Sequence, residues 1–212
     1  GVQLGFAQPI ARLNTPTTKT SLFPTSYNGF KVGLVYDATI VKGFGVSMGL
    51  NYTFGNHTSA WKQIGTLPYP QERTTGQYHQ LEIPIDWQYK FEIAKRTWII
   101  LYTGPTLQCG LDLTSKLYKT NNGKEIILEK DNSFYSEDMK DKELKRINVT
   151  WGLGAGFQYD RYFLRGGYDF GLINPYKASQ FDYTDTNGGH PRTRGRFDQW
   201  QIKLGIYLWQ SK

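Results

Sequence analysis

The sequence predicts an all-β chain, an eight-stranded antiparallel up-and-down transmembrane β-barrel with short periplasmic turns and long extracellular loops. Three observations predict it: apolar and polar residues alternate with period two in segment after segment, the polar side of that alternation is small, and the connections alternate strictly between short and long. The composition agrees. Gly at 23, Tyr at 15, Phe at 12 and Trp at 6 against two Met favour strands over helices. No run approaches the roughly 18 consecutive apolar residues of a membrane-spanning helix, the longest being Trp98 to Tyr102. A length of 212 residues suits one barrel domain over residues 1–212.

The elements follow in order. Val2, Leu4 and Phe6 open the first strand, and Phe30, Val32, Leu34, Tyr36, Ala38 and Ile40 line one side of the second, opposite Lys31, Gly33, Asp37 and Thr39. The third carries Phe44, Val46, Met48, Leu50, Tyr52 and Phe54 against Gly45, Ser47, Gly49, Asn51, Thr53 and Gly55. Leu81, Ile83, Ile85, Trp87, Tyr89 and Phe91 mark the fourth, and the run Ile99 to Leu111 the fifth. Ile147 to Tyr159 by twos, Tyr162 to Leu172 and Trp200 to Leu208 complete the set.

The direction of the two faces follows from volume. Eight strands enclose an interior only just wide enough for side chains, so the apolar face, with its many aromatic and branched residues, overfills it. The small set Gly45, Ser47, Gly49, Gly152, Gly154, Gly156, Gly167 and Gly171 fits there instead, leaving room for larger neighbours. The barrel is therefore expected to be inside out, apolar toward lipid and polar toward the lumen. Inward positions then hold Lys31, Lys90, Arg165 and Lys203 against Asp37, Glu82, Asp86 and Asp169, a balanced set consistent with a filled, internally paired lumen.

The turns at Lys42 and Gly43, Glu92 to Arg96, and Asp160 and Arg161 are short. Those over 12–27, 56–77, 113–145 and 173–195 are long, as in barrels whose termini lie in the periplasm. Phe44, Tyr89, Phe91, Tyr159 and Tyr162 at one rim, and Phe30, Tyr52, Phe54, Phe170 and Trp200 at the other, make two interfacial girdles. The third long connection carries eight basic and seven acidic residues from Lys116 to Arg146, with Leu117 to Lys119, a turn at Asn122 and Gly123, and Ile126 to Leu128 forming a hairpin above the membrane.

These residues resemble the small eight-stranded outer-membrane β-barrels, in particular the porin-like PorT-type group, related in architecture to OmpX and the OmpA membrane domain. The resemblance covers the whole chain and is carried by YHQLEIPIDWQYKF at 78–91, TGP at 103–105 and FLRGGYDFGLINPY at 163–176. It implies an anchoring, adhesive or envelope-maintaining protein, or a subunit of an envelope complex, in the outer membrane of a Gram-negative bacterium, with the signal peptide removed ahead of Gly1. Family members usually close on an outward aromatic. Here Tyr207 and Trp209 fall out of phase with Leu204, Ile206 and Leu208, which calls for a bulge or a weaker assembly signal.

Little else carries chemistry. The Gly152, Gly154 and Gly156 run lies within a strand and lacks the following helix of a phosphate loop. His57 with Ser59 is the nearest approach to a lipid-hydrolysing pair, without an acid partner. Asp182, Asp185, Asn187 and Gly188 partly match a calcium loop but lack its distal Glu, so no metal or other cofactor is expected. Lone Cys109 cannot form an internal disulfide. Arg192, Arg194 and Arg196 descend toward headgroup level and are candidates for lipid phosphates.

The formal net charge of +7 comes from basic residues dispersed among the loops, with no aromatic-lined groove for nucleic acid. The expected partners are outer-membrane lipid and an envelope protein bound through the loops, with no small-molecule substrate and no catalytic residue. A narrow porin-like channel and a soluble lipocalin-like ligand-binding barrel are the alternatives.

Overall fold

The computed structural model describes residues 1–14, 27–63, 71–121, 124–131, 145–175 and 194–209. Ten strands form: β1 (Val2–Asn14), β2 (Asn28–Val41), β3 (Phe44–Thr58), β4 (Lys62–Gln63), β5 (Gln71–Ala94), β6 (Thr97–Asn121), β7 (Lys124–Asp131), β8 (Ile147–Tyr159), β9 (Tyr162–Gly171) and β10 (Arg194–Ile206). Eight of them close a ring of antiparallel neighbours in the order β1-β2-β3-β5-β6-β8-β9-β10, with β10 returning to β1. Short β4 and the longer β7 are additions on the outer edges of β5 and β6. Closure leaves the ring itself no free strand edge, which a wall in lipid requires.

The faces point as volume dictates. Met48, Leu50, Ile83, Leu153 and Leu204 are exposed on the outside, whereas Lys31, Asn51, Glu82, Gln88, Arg165, Asp169 and Gln201 are buried inside. A soluble lipocalin-like barrel has the opposite polarity, so that alternative falls. The girdle aromatics are outward too, with Phe44, Tyr89, Phe91, Tyr159 and Tyr162 toward the short turns and Phe30, Phe54, Phe170 and Trp200 toward the other rim. Glycines on the inner face make room for the few large inward rings. A Cβ on Gly154 would stand 2.2 Å from Cζ of Tyr102, and one on Gly55 1.8 Å from Cε1 of Tyr78.

The short connections are tight. Gly43 adopts φ 82°, which glycine does without steric cost, while Arg96 and Asp160 take φ 62° and 50° at the equivalent bends. The long connections begin later than the alternation suggests, because several strands continue past the apolar belt. β5 and β6 are 24 and 25 residues long against 10 to 15 for the other six ring strands. Spanning lipid takes only about 9–11 residues per strand, so both project well beyond the membrane. There β7 joins them through pairs such as Lys119 with Ile126, forming the hairpin expected from Leu117 to Leu128.

Candidate functional site

Two sets of polar residues stand out, one enclosed by the barrel and one on its wall. The enclosed set begins near the periplasmic end, around Asp37 of β2. Arg165 of β9 donates from Nη2 to Asp37 Oδ2 at 2.7 Å and from Nη1 to Ser47 Oγ at 2.8 Å. Lys90 of β5 reaches the same carboxylate at 3.0 Å and also Gln158 Oε1 at 3.1 Å. The Tyr207 hydroxyl donates to Asp37 and accepts from Arg165, and Gln88 Oε1 takes a further Arg165 proton at 3.1 Å. One acid therefore gathers two cations, a serine and a tyrosine.

A second cluster lies toward the outer end. Lys31 Nζ sits 2.5 Å from Glu82 Oε2 and 2.7 Å from Gln201 Oε1, while Thr53, Gln80 and Gln199 donate to Glu82 Oε1 at 2.9, 3.2 and 3.3 Å. Gln201 also donates to Asp169 Oδ2 at 2.8 Å. A charge pair in this low-dielectric interior is tolerable only because the remaining lone pairs and protons find such amide and hydroxyl partners.

The balanced inward charges do not resolve into one pair per acid. Among the described inward residues the direct ion pairs are Arg165 and Lys90 on Asp37, and Lys31 on Glu82. Asp86, Asp169 and Lys203 are buried alongside without a direct ion pair, Lys203 Nζ lying 5.9 Å from the centre of the Tyr102 ring. Glutamines, Ser47, Thr53 and Tyr207 do the rest. The alternation already places Ser47 and Thr53 on the small inward face, while the glutamines, equally in phase, carry no charge to mark them.

Tyr207 lies out of phase with the outward Leu204 and Leu208, as the alternation has it. No bulge brings it outward, since β10 pairs with β1 in unbroken register from Arg194 to Ile206. The ring continues the inward parity, packs on Phe163 with centroids 4.7 Å apart, and places its hydroxyl in the Asp37 cluster. Trp209 follows as an exposed residue beyond the strand.

An open vestibule of about 1200 Å³ lies on the periplasmic side of this cluster, bounded by Asp37, Lys90, Gln158 and Tyr207 among others. Near the outer end a cavity of about 60 Å³ is lined by Tyr27, Tyr78, Asn148, Phe197 and Gln199 among others. Between them the lumen is occupied by the side chains just described.

The wall set lies one rung beyond the outer girdle. Asp198 has outward parity on β10, yet is 0% exposed because Arg12 of β1 and Arg196 cover it. Arg12 Nε stands 2.7 Å and Arg196 Nε 3.1 Å from Asp198 Oδ2, the Tyr168 hydroxyl donates to the same oxygen at 2.9 Å, and the Gly171 amide donates to Oδ1 at 3.0 Å. Of the three arginines singled out from sequence, Arg196 belongs to this cluster. Arg194 contributes its backbone pairing with Asn14, and Arg192 lies outside the described residues. Arg12 and Asp198 escaped the sequence reading, having been placed within or beside long loops.

Other candidates dissolve. Ser59 Oγ accepts the Thr74 amide at 2.9 Å and the His57 ring packs edge-on against Tyr27, so the two serve strand pairing and packing. No cluster of potential metal ligands occurs among the described residues, and Asp182, Asp185, Asn187 and Gly188 lie outside them.

The model of one protein family, the outer membrane protein β-barrel domain, matches residues 1–176. A comparison with curated proteins gives no match. Among solved structures the chain is similar to Ail, the attachment invasion locus protein of Yersinia pestis, in complex with the heparin analogue sucrose octasulfate. That match has 10% identity, covers 97% of this chain and 95% of that chain, and has a TM-score of 0.40. It is also similar to the outer membrane enzyme PagL (9% identity, 97% and 99% covered, TM-score 0.47) and to neisserial surface protein A (12% identity, 96% of each chain, TM-score 0.35).

Proposed function

The chain belongs to the outer membrane protein β-barrel domain family and resides in the Gram-negative outer membrane, and from that premise we propose that it is a non-enzymatic anchor whose extracellular elements recognise an envelope or surface protein. The observation that carries this reading is the length of β5 and β6. Their outer halves, with β4 and β7 added at the sides, make a sheet that stands above the lipid on a rigid ring. Among the described residues β7 pairs with β6 alone, so its other edge offers backbone donors and acceptors to an extended segment of a partner.

The filled lumen supports the same reading against a channel. Lys31, Glu82, Arg165, Asp169 and Lys203 are all nearly inaccessible, and each occupies cross-section that an ion would need. Two measurements test the proposal together. Planar-bilayer recordings on the purified barrel should be silent, and capture of envelope proteins by the full chain should be lost when the hairpin at 117–128 is shortened to a tight turn. Steady single-channel currents would overturn the plugged lumen, and capture indifferent to the hairpin would overturn the platform.

A further inference from the structure

The wall cluster around Asp198 points to a ligand of its own. Arg12 and Arg196 are direct cross-strand partners on β1 and β10, a like-charged pair that destabilises a sheet unless something neutralises it. Asp198 neutralises one of the two charges. The other remains, and the guanidiniums, 54% and 49% exposed, keep their outer N–H groups free of the carboxylate they share. Arg196 gives Asp198 its Nε, and Arg12 gives Nε to Asp198 and one terminal nitrogen, Nη2, to the Tyr168 hydroxyl at 3.2 Å, which leaves both Nη groups of Arg196 and Nη1 of Arg12 for a further acceptor.

Their level is set by the aromatic belt. Trp200 pairs with Tyr168 and Gln8 and packs on Phe6 with centroids 5.3 Å apart, while Tyr168 packs on Phe170 at 4.8 Å. Asp198 is the next outward residue above Trp200, and Arg196 the next again. Side chains immediately beyond such a belt lie among headgroups.

We propose that Arg12 and Arg196, pre-positioned by Asp198 and Tyr168, form a site for the phosphate of an outer-leaflet lipid. Planar guanidiniums with fixed orientation suit a tetrahedral phosphate better than mobile lysines do, because each offers paired N–H groups and little rotamer freedom is lost on binding. The residual positive charge faces the anionic headgroup layer, where each such cation is favoured. The site is independent of the hairpin platform, and its failure would leave that reading untouched.

The test is lipid retention by the full barrel in nanodiscs of phosphatidylcholine containing a small fraction of lipid A, either phosphorylated or enzymatically dephosphorylated, read by native mass spectrometry. Wild type should retain the phosphorylated form about tenfold more than the dephosphorylated one, in line with the attraction of juxtamembrane cations to anionic headgroups. The variant Arg12→Gln/Arg196→Gln/Asp198→Asn removes all three charges together and so leaves no buried acid unpaired. It should fold and lose the preference, and Arg12→Lys/Arg196→Lys should keep only part of it. Equal retention of both lipids by wild type, or an undiminished preference in the triple variant, would overturn the site. Displacement of the bound lipid by millimolar inorganic phosphate would overturn the assignment to a lipid.

Discussion

Asp37 and Asp198 are held by nearly the same set of groups and serve opposite ends. Each carboxylate takes two cations and a tyrosine hydroxyl: Arg165, Lys90 and Tyr207 on Asp37, and Arg12, Arg196 and Tyr168 on Asp198. Asp37 has inward parity, so Arg165 is enclosed at 2% exposure and Lys90, at 17%, meets only the vestibule inside the ring. Asp198 has outward parity, so its cations are half in the surroundings and keep donors to spare. Parity, more than the identity of the residues, decides whether such a cluster becomes a plug or a handle.

That contrast can be broken in several places. Asp37→Ala leaves Arg165 buried without its acid, and removing one partner of a buried pair costs on the order of 3–5 kcal/mol. Denaturant unfolding of the barrel from lipid vesicles would measure it. Leu50→Arg, on the lipid face, should cost about 2–4 kcal/mol in the same assay and impair insertion. Asn51→Arg should act instead through lumen packing, where Asn51 accepts the Gln3 amide at 2.6 Å. Equal tolerance at both positions would contradict the assignment of faces.

Smaller effects sharpen the picture. Gly154→Val drives a side chain into Tyr102 and should cost about 1–3 kcal/mol, partly recovered by Tyr102→Leu. On the outward side of the same strand Ala155→Val should stay within about 0.5 kcal/mol of wild type. Asp198→Ala should cost only about 1–2 kcal/mol, because Arg12 and Arg196 can turn to water and headgroups. If it proves as damaging as Asp37→Ala, the plug-and-handle distinction fails.

The wall was legible in the sequence because lipid and lumen impose opposite demands on alternate residues, and a period-two pattern survives whatever the strand pairs with. Lys31, Glu82 and Arg165 could be placed inside on that basis. What escaped lay where the pattern loses contrast. Beyond the girdles lipid no longer demands an apolar outer face, so Gln71 to Gln77 and Asp112 to Asn121 show no alternation in the sequence and pass for loop. Arg12 and Asp198 keep their outward parity, but charge replaces apolar character at that height and hides their continuity with the faces below. Tyr207 was in phase all along, and only the expectation of an outward closing aromatic made it look misplaced.

The vestibule gives the barrel the proportions of a cup. The vestibule opens on the periplasmic side as far as Asp37 and Tyr207, and the packed section begins above them. A voltage applied across this membrane then falls mainly over that section, so the field acting on Lys31 and Glu82 is steeper than the bilayer thickness alone implies. The insulating layer is the protein's own floor, and its depth is decided by where one tyrosine and one arginine meet a single acid.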